Sequence, residues 1–201
     1  MPGDTIGFQL IVGLGNPGRE YEDTRHNAGF WFIDQVAARA GVTLKPETRF
    51  FGQVAKAVIS GQTVYLLKPS EFMNLSGKSI APLVRFYKLD PTKMLVIHDE
   101  LDLSPGTIRL KKGGGAGGHN GLRDTIAKLG VKDFWRLRVG VGHPGHKSAV
   151  AGYVLKRAPA DQQRLMDESI DLAVSEIDRI VAGDINEATK TLHSHKPPAS
   201  G

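Results

Sequence analysis

Two side chains, His26 and Asp99, could activate water in this chain. His26 stands where a loop enters a helix, in Thr24-Arg25-His26-Asn27-Ala28-Gly29-Phe30, and Asp99 closes the apolar run Met94-Leu95-Val96-Ile97-His98-Asp99-Glu100. A neutral imidazole can take a proton from water, and a carboxylate behind it fixes its tautomer and stabilises the imidazolium that forms. The positive end of the helix dipole and Arg25 both oppose protonation of His26, which keeps it available as a base. Asn16, Asn74 and Asn120 occupy similar loop positions. Their amides could donate to a developing oxyanion. The chain has no cysteine, so thiolate catalysis, disulfides and Cys-ligated zinc are excluded.

Other uses of the same residues are weaker. His26, His98, Asp99, Asp102 and His119 could supply metal ligands, yet no HExxH or comparable spacing occurs, so no metal is expected. No G-x-S-x-G elbow marks a serine nucleophile. Gly13-Leu14-Gly15-Asn16-Pro17-Gly18 matches a dinucleotide fingerprint, but no helix opens at its third glycine and no ribose-binding acid follows. Gly77-Lys78-Ser79 resembles the end of a P-loop without the glycine that must begin it. No cofactor is expected.

Charge points to the partner. Between Pro105 and Lys147 nine basic residues face only Asp124 and Asp133; that stretch carries +7 of a net +5, leaving −2 for the rest. A one-sided field of this kind suits a polyanion. Within it, Gly113-Gly114-Gly115-Ala116-Gly117-Gly118 follows Lys111 and Lys112 and opens a helix, where bare backbone and free N–H groups can approach an anion.

These residues need a scaffold that gathers them. Phe8–Leu14, Met94–Ile97, Thr107–Leu110 and Trp135–Val141 read as strands, and Gly52–Ser60 with Thr63–Leu67 as a hairpin. Helices are expected over Asn27–Ala40, Ser76–Lys88 (with Pro82 in its first turns or at a kink), His119–Leu129, Ala160–Ala182 and Ile185–Leu192. The alternation predicts a single α/β domain over 1–192 with a central, mixed but largely parallel sheet flanked by helices. Asn16, Asn74, Asp99 and His119 all lie in loops after strands, which such a sheet collects at one edge. Residues 193–201 read as a disordered tail whose two histidines are idle. No apolar run approaches the ~18 residues of a membrane span, and no signal peptide is evident, so a cytoplasmic protein is expected.

Several segments together resemble bacterial-type peptidyl-tRNA hydrolase: Val-Gly-Leu-Gly-Asn-Pro-Gly (12–18), Tyr21 with Thr-Arg-His-Asn (24–27), Lys-Pro-Ser-Glu-Phe-Met-Asn-Leu-Ser-Gly (68–77), His-Asp-Glu-Leu-Asp (98–102), Gly-Gly-His-Asn-Gly-Leu (117–122) and Arg-Leu-Arg-Val-Gly-Val-Gly-His-Pro (136–144). They run in the family's order over nearly the whole chain. The resemblance implies a monomer that cleaves the ester joining a peptide, or an N-blocked amino acid, to the 3′ end of tRNA. It implies His26 as base and Asp99 as its partner. Asn16 would distinguish a blocked amine from a free one, and Asn74 and Asn120 would hold the peptide backbone or the attacking water. Tyr21, Phe72, Met73 and His119 would line the site. Lys111 and Arg138 would grip the 5′ phosphate with Lys147 nearby, and Arg136 is close enough to exchange roles with Arg138.

Overall fold

A computed structural model describes residues 7–197. Seven strands form one sheet in the order β2-β3-β4-β1-β5-β7-β6. They are β1 (Leu10–Gly13), β2 (Lys45–Glu47), β3 (Gly52–Ile59), β4 (Gln62–Pro69), β5 (Met94–Glu100), β6 (Ile108–Lys112) and β7 (Trp135–Gly140). β4, β1, β5 and β7 pair in parallel, while β3 pairs antiparallel with both β2 and β4, and β6 antiparallel with β7. Only β3 and β6 therefore run against the rest, as the expected largely parallel sheet requires.

Period-two alternation assigns each strand residue to a face. Ile11, Leu95, Ile97, Leu137 and Val139 enter one core with α1 (Ala28–Ala40), α5 (Ala160–Ser175), α6 (Ile177–Ala182) and α7 (Ile185–Ser194). Leu10, Val12, Met94 and Val96 enter the other with α2 (Ser76–Phe86) and α3 (Asn120–Leu129). Both faces are covered, so β1 is apolar throughout and β5 stays apolar until His98, whereas β7 carries Arg136 and Arg138 within its span. His98 and Asp99 are the first polar side chains after the buried run of β5, and each is still almost fully enclosed.

The start of α1 is pressed against the end of β1. A Cβ on Gly29 would lie 2.4 Å from Leu14 N and 2.5 Å from Ile97 O, and one on Gly13 would lie 2.2 Å from Gly29 O. Only paired glycines permit this approach. The Gly13-Leu14-Gly15 pattern thus serves helix–sheet packing, with the Phe30 ring seated where a Gly15 side chain would be, and it brings the turn before α1 over the end of β5.

Several sequence expectations are corrected. The helix expected over Ala160–Ala182 is two helices that part at Glu176. Its apolar spacing continues through the break from Ala173 and Val174 to Ile177, Ile180 and Val181, so periodicity alone could not reveal the interruption. The last helix extends past Leu192 to Ser194, and His193 is not idle: its Nε2 accepts the Leu110 N–H at 3.0 Å. The supposed tail therefore starts too early, and its residues 198–201 lie outside the described ones. The short strand β2 and the five-residue helix α4 (Val150–Val154) were not anticipated.

Candidate active site

The site lies at the carboxyl ends of β1 and β5, where loops from both faces meet. His26 belongs to a 3-10 turn, Arg25–Asn27, that precedes α1. His119 caps α3 rather than forming its first residue, as had been expected. Asp99 joins them: its Oδ2 is 2.8 Å from His26 Nδ1 and its Oδ1 is 2.8 Å from His119 Nε2.

The bonds on each ring's second nitrogen distinguish the two histidines. His119 Nδ1 accepts the backbone N–H groups of Gly121 and Leu122 at 3.1 and 3.4 Å. Its proton must therefore sit on Nε2 and point at Asp99. His119 is occupied at both nitrogens. His26 has only one nitrogen committed: Nδ1–H donates to Asp99, and Nε2 carries the lone pair toward the cleft. A carboxylate with two N–H donors leaves one imidazole nitrogen to act as base.

The charges follow from this arrangement. Burial alone would raise the Asp99 carboxyl, but His26 and His119 with their hydrogen bonds hold it well below the usual range. Burial alone would lower His26; the Asp99 charge and hydrogen bond more than offset that, and its pKa is raised above the ordinary 6.5. This reverses the expectation that Arg25 and the helix dipole keep the ring neutral. The Arg25 guanidinium instead lies over the Tyr153 ring at 3.7 Å and donates to Tyr153 O, tying the segment around α4 to this turn.

Asn16 is fixed in the same way. Its backbone N–H donates to Asn27 Oδ1 at 2.8 Å, Asn27 Nδ2 donates to its carbonyl at 2.9 Å, and its own Oδ1 accepts the Met73 N–H at 2.7 Å. The Met73 N–H determines which end of the amide is oxygen, so Nδ2 is left as a donor toward a cleft of about 210 Å³. That cleft is lined by Asn16, His26, Phe72, Met73, Asn74, Asn120, Ala151, Val154 and Leu155. Phe72 is exposed and meets Tyr21 edge-on at 6.1 Å. A second cleft, of about 420 Å³, shares His26 and Asn120 and extends past Asp99, Glu100 and His119 to Lys147.

The fold thus brings His26, Asp99, His119, Asn16, Asn74, Asn120, Phe72 and Met73 together. Lys111 and Arg138 lie farther along, on the β6–β7 edge. Arg138 is half-buried beside Glu100 at 3.6 Å, and Lys111 is exposed just before the glycine loop. Arg136, considered as an exchange for Arg138, has another use. It is buried, and its guanidinium donates to the carbonyls of Gly115, Gly114 and Lys132 at 2.7, 2.6 and 3.1 Å. It holds the glycine loop whose chain leads into His119. Arg136→Ala should therefore destabilise the fold by about 3 kcal/mol, since three charge-assisted hydrogen bonds and the packing of a buried side chain would be lost; urea unfolding measures this, and a change under about 1 kcal/mol would refute it.

Sequence reading missed Asn27, which anchors Asn16, and the α4 wall. A signal for the wall was available: Val150, Ala151, Val154 and Leu155 have the i, i+1, i+4, i+5 spacing of a helical apolar stripe.

A covered, largely parallel sheet with an imidazole–carboxylate pair and side-chain amides gathered at its carboxyl edge has the make-up of a hydrolase that could activate water. The family model described as peptidyl-tRNA hydrolase matches residues 10–199. A peptidyl-tRNA hydrolase of Delftia acidovorans is 54% identical over 191 residues, covering 95% of this chain and 92% of the relative. One from Vibrio parahaemolyticus is also 54% identical, covering 94% and 97%. The crystal structure of the Acinetobacter baumannii peptidyl-tRNA hydrolase superposes with a TM-score of 0.92 at 50% identity, covering 94% of this chain and 96% of that one. The chain belongs to the peptidyl-tRNA hydrolase family, and its reaction is the hydrolysis of peptidyl-tRNA.

Proposed function

We propose that His26 is the general base of that reaction and that Asp99 and His119 orient it. The observation that carries this reading is the division of labour at Asp99, which leaves His26 Nε2 as the uncommitted imidazole nitrogen. Nε2 takes a proton from water as the water oxygen attacks the ester carbonyl carbon. The carbon–oxygen bond to the terminal ribose then breaks, and the imidazolium returns its proton to the departing ribose oxygen. An ester has a better leaving group than an amide, so no covalent intermediate is required. Asn120, whose Oδ1 accepts from Arg123 at 3.3 Å, keeps its amide N–H groups for the developing oxyanion or the peptide backbone, and Asn74 supplies a second amide.

Asn16 Nδ2 donates to the acyl carbonyl of a blocked substrate and opposes the ammonium of a free aminoacyl group. Phe72, Met73 and Leu155 offer apolar surface to the peptide, with Tyr21 supporting Phe72. Lys147 lies within reach of the acceptor end, while Lys111 and Arg138 serve the 5′ phosphate. We read the protein as a cytoplasmic monomer; among the described residues, no helix is long and apolar enough to cross a membrane.

A metal does not suit the central cluster. His26, Asp99 and His119 offer ligand atoms within 4.8 Å of one another, but the His119 nitrogen concerned carries the proton its other nitrogen's partners require. Incubation of N-acetyl-aminoacyl-tRNA with and without chelator tests the whole reading. Release of N-acetyl amino acid in both is expected. Binding without release would make the protein an RNA-binding module, and loss with chelator would restore the metal.

Lys111→Ala should weaken tRNA binding and reduce the slope of log K against log salt by about 1, the loss of one phosphate contact. An unchanged slope in filter-binding titrations would remove Lys111 from the clamp.

A further inference from the structure

His98 lies directly beneath the catalytic carboxylate but takes no part in the mechanism above. It is almost fully buried on the face of β5 opposite Asp99, where Met94 and Val96 meet the α2–α3 core. Its Nδ1 is 2.8 Å from the carbonyl oxygen of Asp99. A carbonyl only accepts, so the proton is on Nδ1. Nε2 is then an unprotonated nitrogen, buried without a hydrogen-bond partner among the described residues. Leaving a buried acceptor unpaired is unfavourable, and a leucine would fill this apolar position without that penalty. The ring also meets the His119 ring edge-on, with centroids 5.0 Å apart and planes at 65°.

We propose that His98 is a positioning residue for hydrolysis: its bond to the Asp99 carbonyl and its edge contact with His119 fix the carboxylate that orients His26. The two contacts act on the same group from different sides. The first fixes the peptide plane at the end of β5 from which the Asp99 side chain departs. The second limits tilting of the ring that donates to Asp99 Oδ1. His98 can do this across the working pH range because burial, His119 and Arg136 disfavour its charged form and lower its pKa to about 3, against weaker opposition from Asp99. It touches neither water nor ester and acts through its neighbours.

The inference rests on His26 as base, and its test separates the two. His98→Phe keeps a ring edge against His119 and removes the donor; His98→Asn keeps a donor near the Asp99 carbonyl. Steady-state hydrolysis of N-acetyl-aminoacyl-tRNA by the full chain is followed from about pH 5.5 to 8.5. For His98→Phe, kcat should fall about tenfold with KM within about twofold, the scale seen when supporting partners of a site are removed. Its acid limb should move to lower pH, because a loosened Asp99 raises His26 less. His98→Asn should recover most of kcat and the wild-type limb. If the phenylalanine prevents folding, His98→Leu gives the same loss of donor with less volume. Wild-type kcat and limb in a folded variant without the donor would overturn the proposal, as would lowered stability with both unchanged. Activity retained in His26→Ala, measured alongside, would instead refute the assignment of the base.

Discussion

His26→Ala should reduce turnover of N-acetyl-aminoacyl-tRNA by at least about 10²-fold, within the 10²–10⁴-fold range of general-base action, while tRNA binding persists. The geometry makes this stricter than for an arbitrary active-site histidine. The neighbouring His119 cannot substitute, because its Nδ1 is held by the N-terminal amides of α3 and its Nε2–H by Asp99. The loss should therefore fall on kcat, with little change in KM, and imidazole added to the alanine variant should restore part of the rate. Turnover within about tenfold of wild type would mean that another group takes the proton, and the assignment would fail.

The pH dependence follows from the same pair. The acid limb of kcat/KM reports the base in the free enzyme, and the Asp99 charge places it above the ordinary histidine value of 6.5. Stability has the opposite preference. A histidine whose pKa is raised on folding contributes stability that is complete below 6.5 and disappears as pH rises through its folded value. Asp99, lowered on folding, contributes above 3.8 and loses its effect as pH falls toward its folded value. The ion pair thus supports the fold most strongly between those values, where the base is largely protonated and catalysis is slow.

How much of this was legible in the sequence depended on whether the deciding interaction was local. The strands of the parallel centre were readable because both faces are buried and the apolar runs end sharply, at Gly13 and at His98-Asp99. Asn16, Asn74, Asp99 and His119 were readable as polar residues following strands, the positions an α/β sheet gathers at one edge, although β5 runs on through Asp99 to Glu100 rather than ending before it. What could not be read was which partner each nitrogen would find. Arg25 lies beside His26 in sequence but turns to Tyr153, more than a hundred residues away, and it is Asp99, 73 residues from His26, whose charge and hydrogen bond outweigh burial and raise the ring's pKa instead of lowering it. Arg136 and Arg138 are alike on paper; only the return of the glycine loop over β7 assigns the first to three carbonyls. The break at Glu176 was hidden because the apolar spacing is the same on both sides of it.

Asp99→Asn should be nearly as damaging as loss of the base, for a reason specific to this site. Asparagine offers one oxygen and one amide nitrogen where the carboxylate offers two acceptors. His119 must donate from Nε2, since its Nδ1 already accepts the Gly121 and Leu122 amides, so the asparagine oxygen is drawn to His119. Its NH2 group then faces His26 Nδ1, which must become an acceptor. The His26 proton moves to Nε2, the atom that should attack water's hydrogen. A carboxylate-to-amide change that forces the wrong tautomer lowered kcat by about 10⁴ in a serine protease; a loss of about 10³-fold is expected here, with KM little changed. The acid limb should also collapse toward lower pH, because the charge that raises His26 is gone. Ring-nitrogen NMR on the variant would read the tautomer directly: a His26 signal protonated at Nε2 is expected, and one still protonated at Nδ1 with a normal rate would refute the division of labour at Asp99.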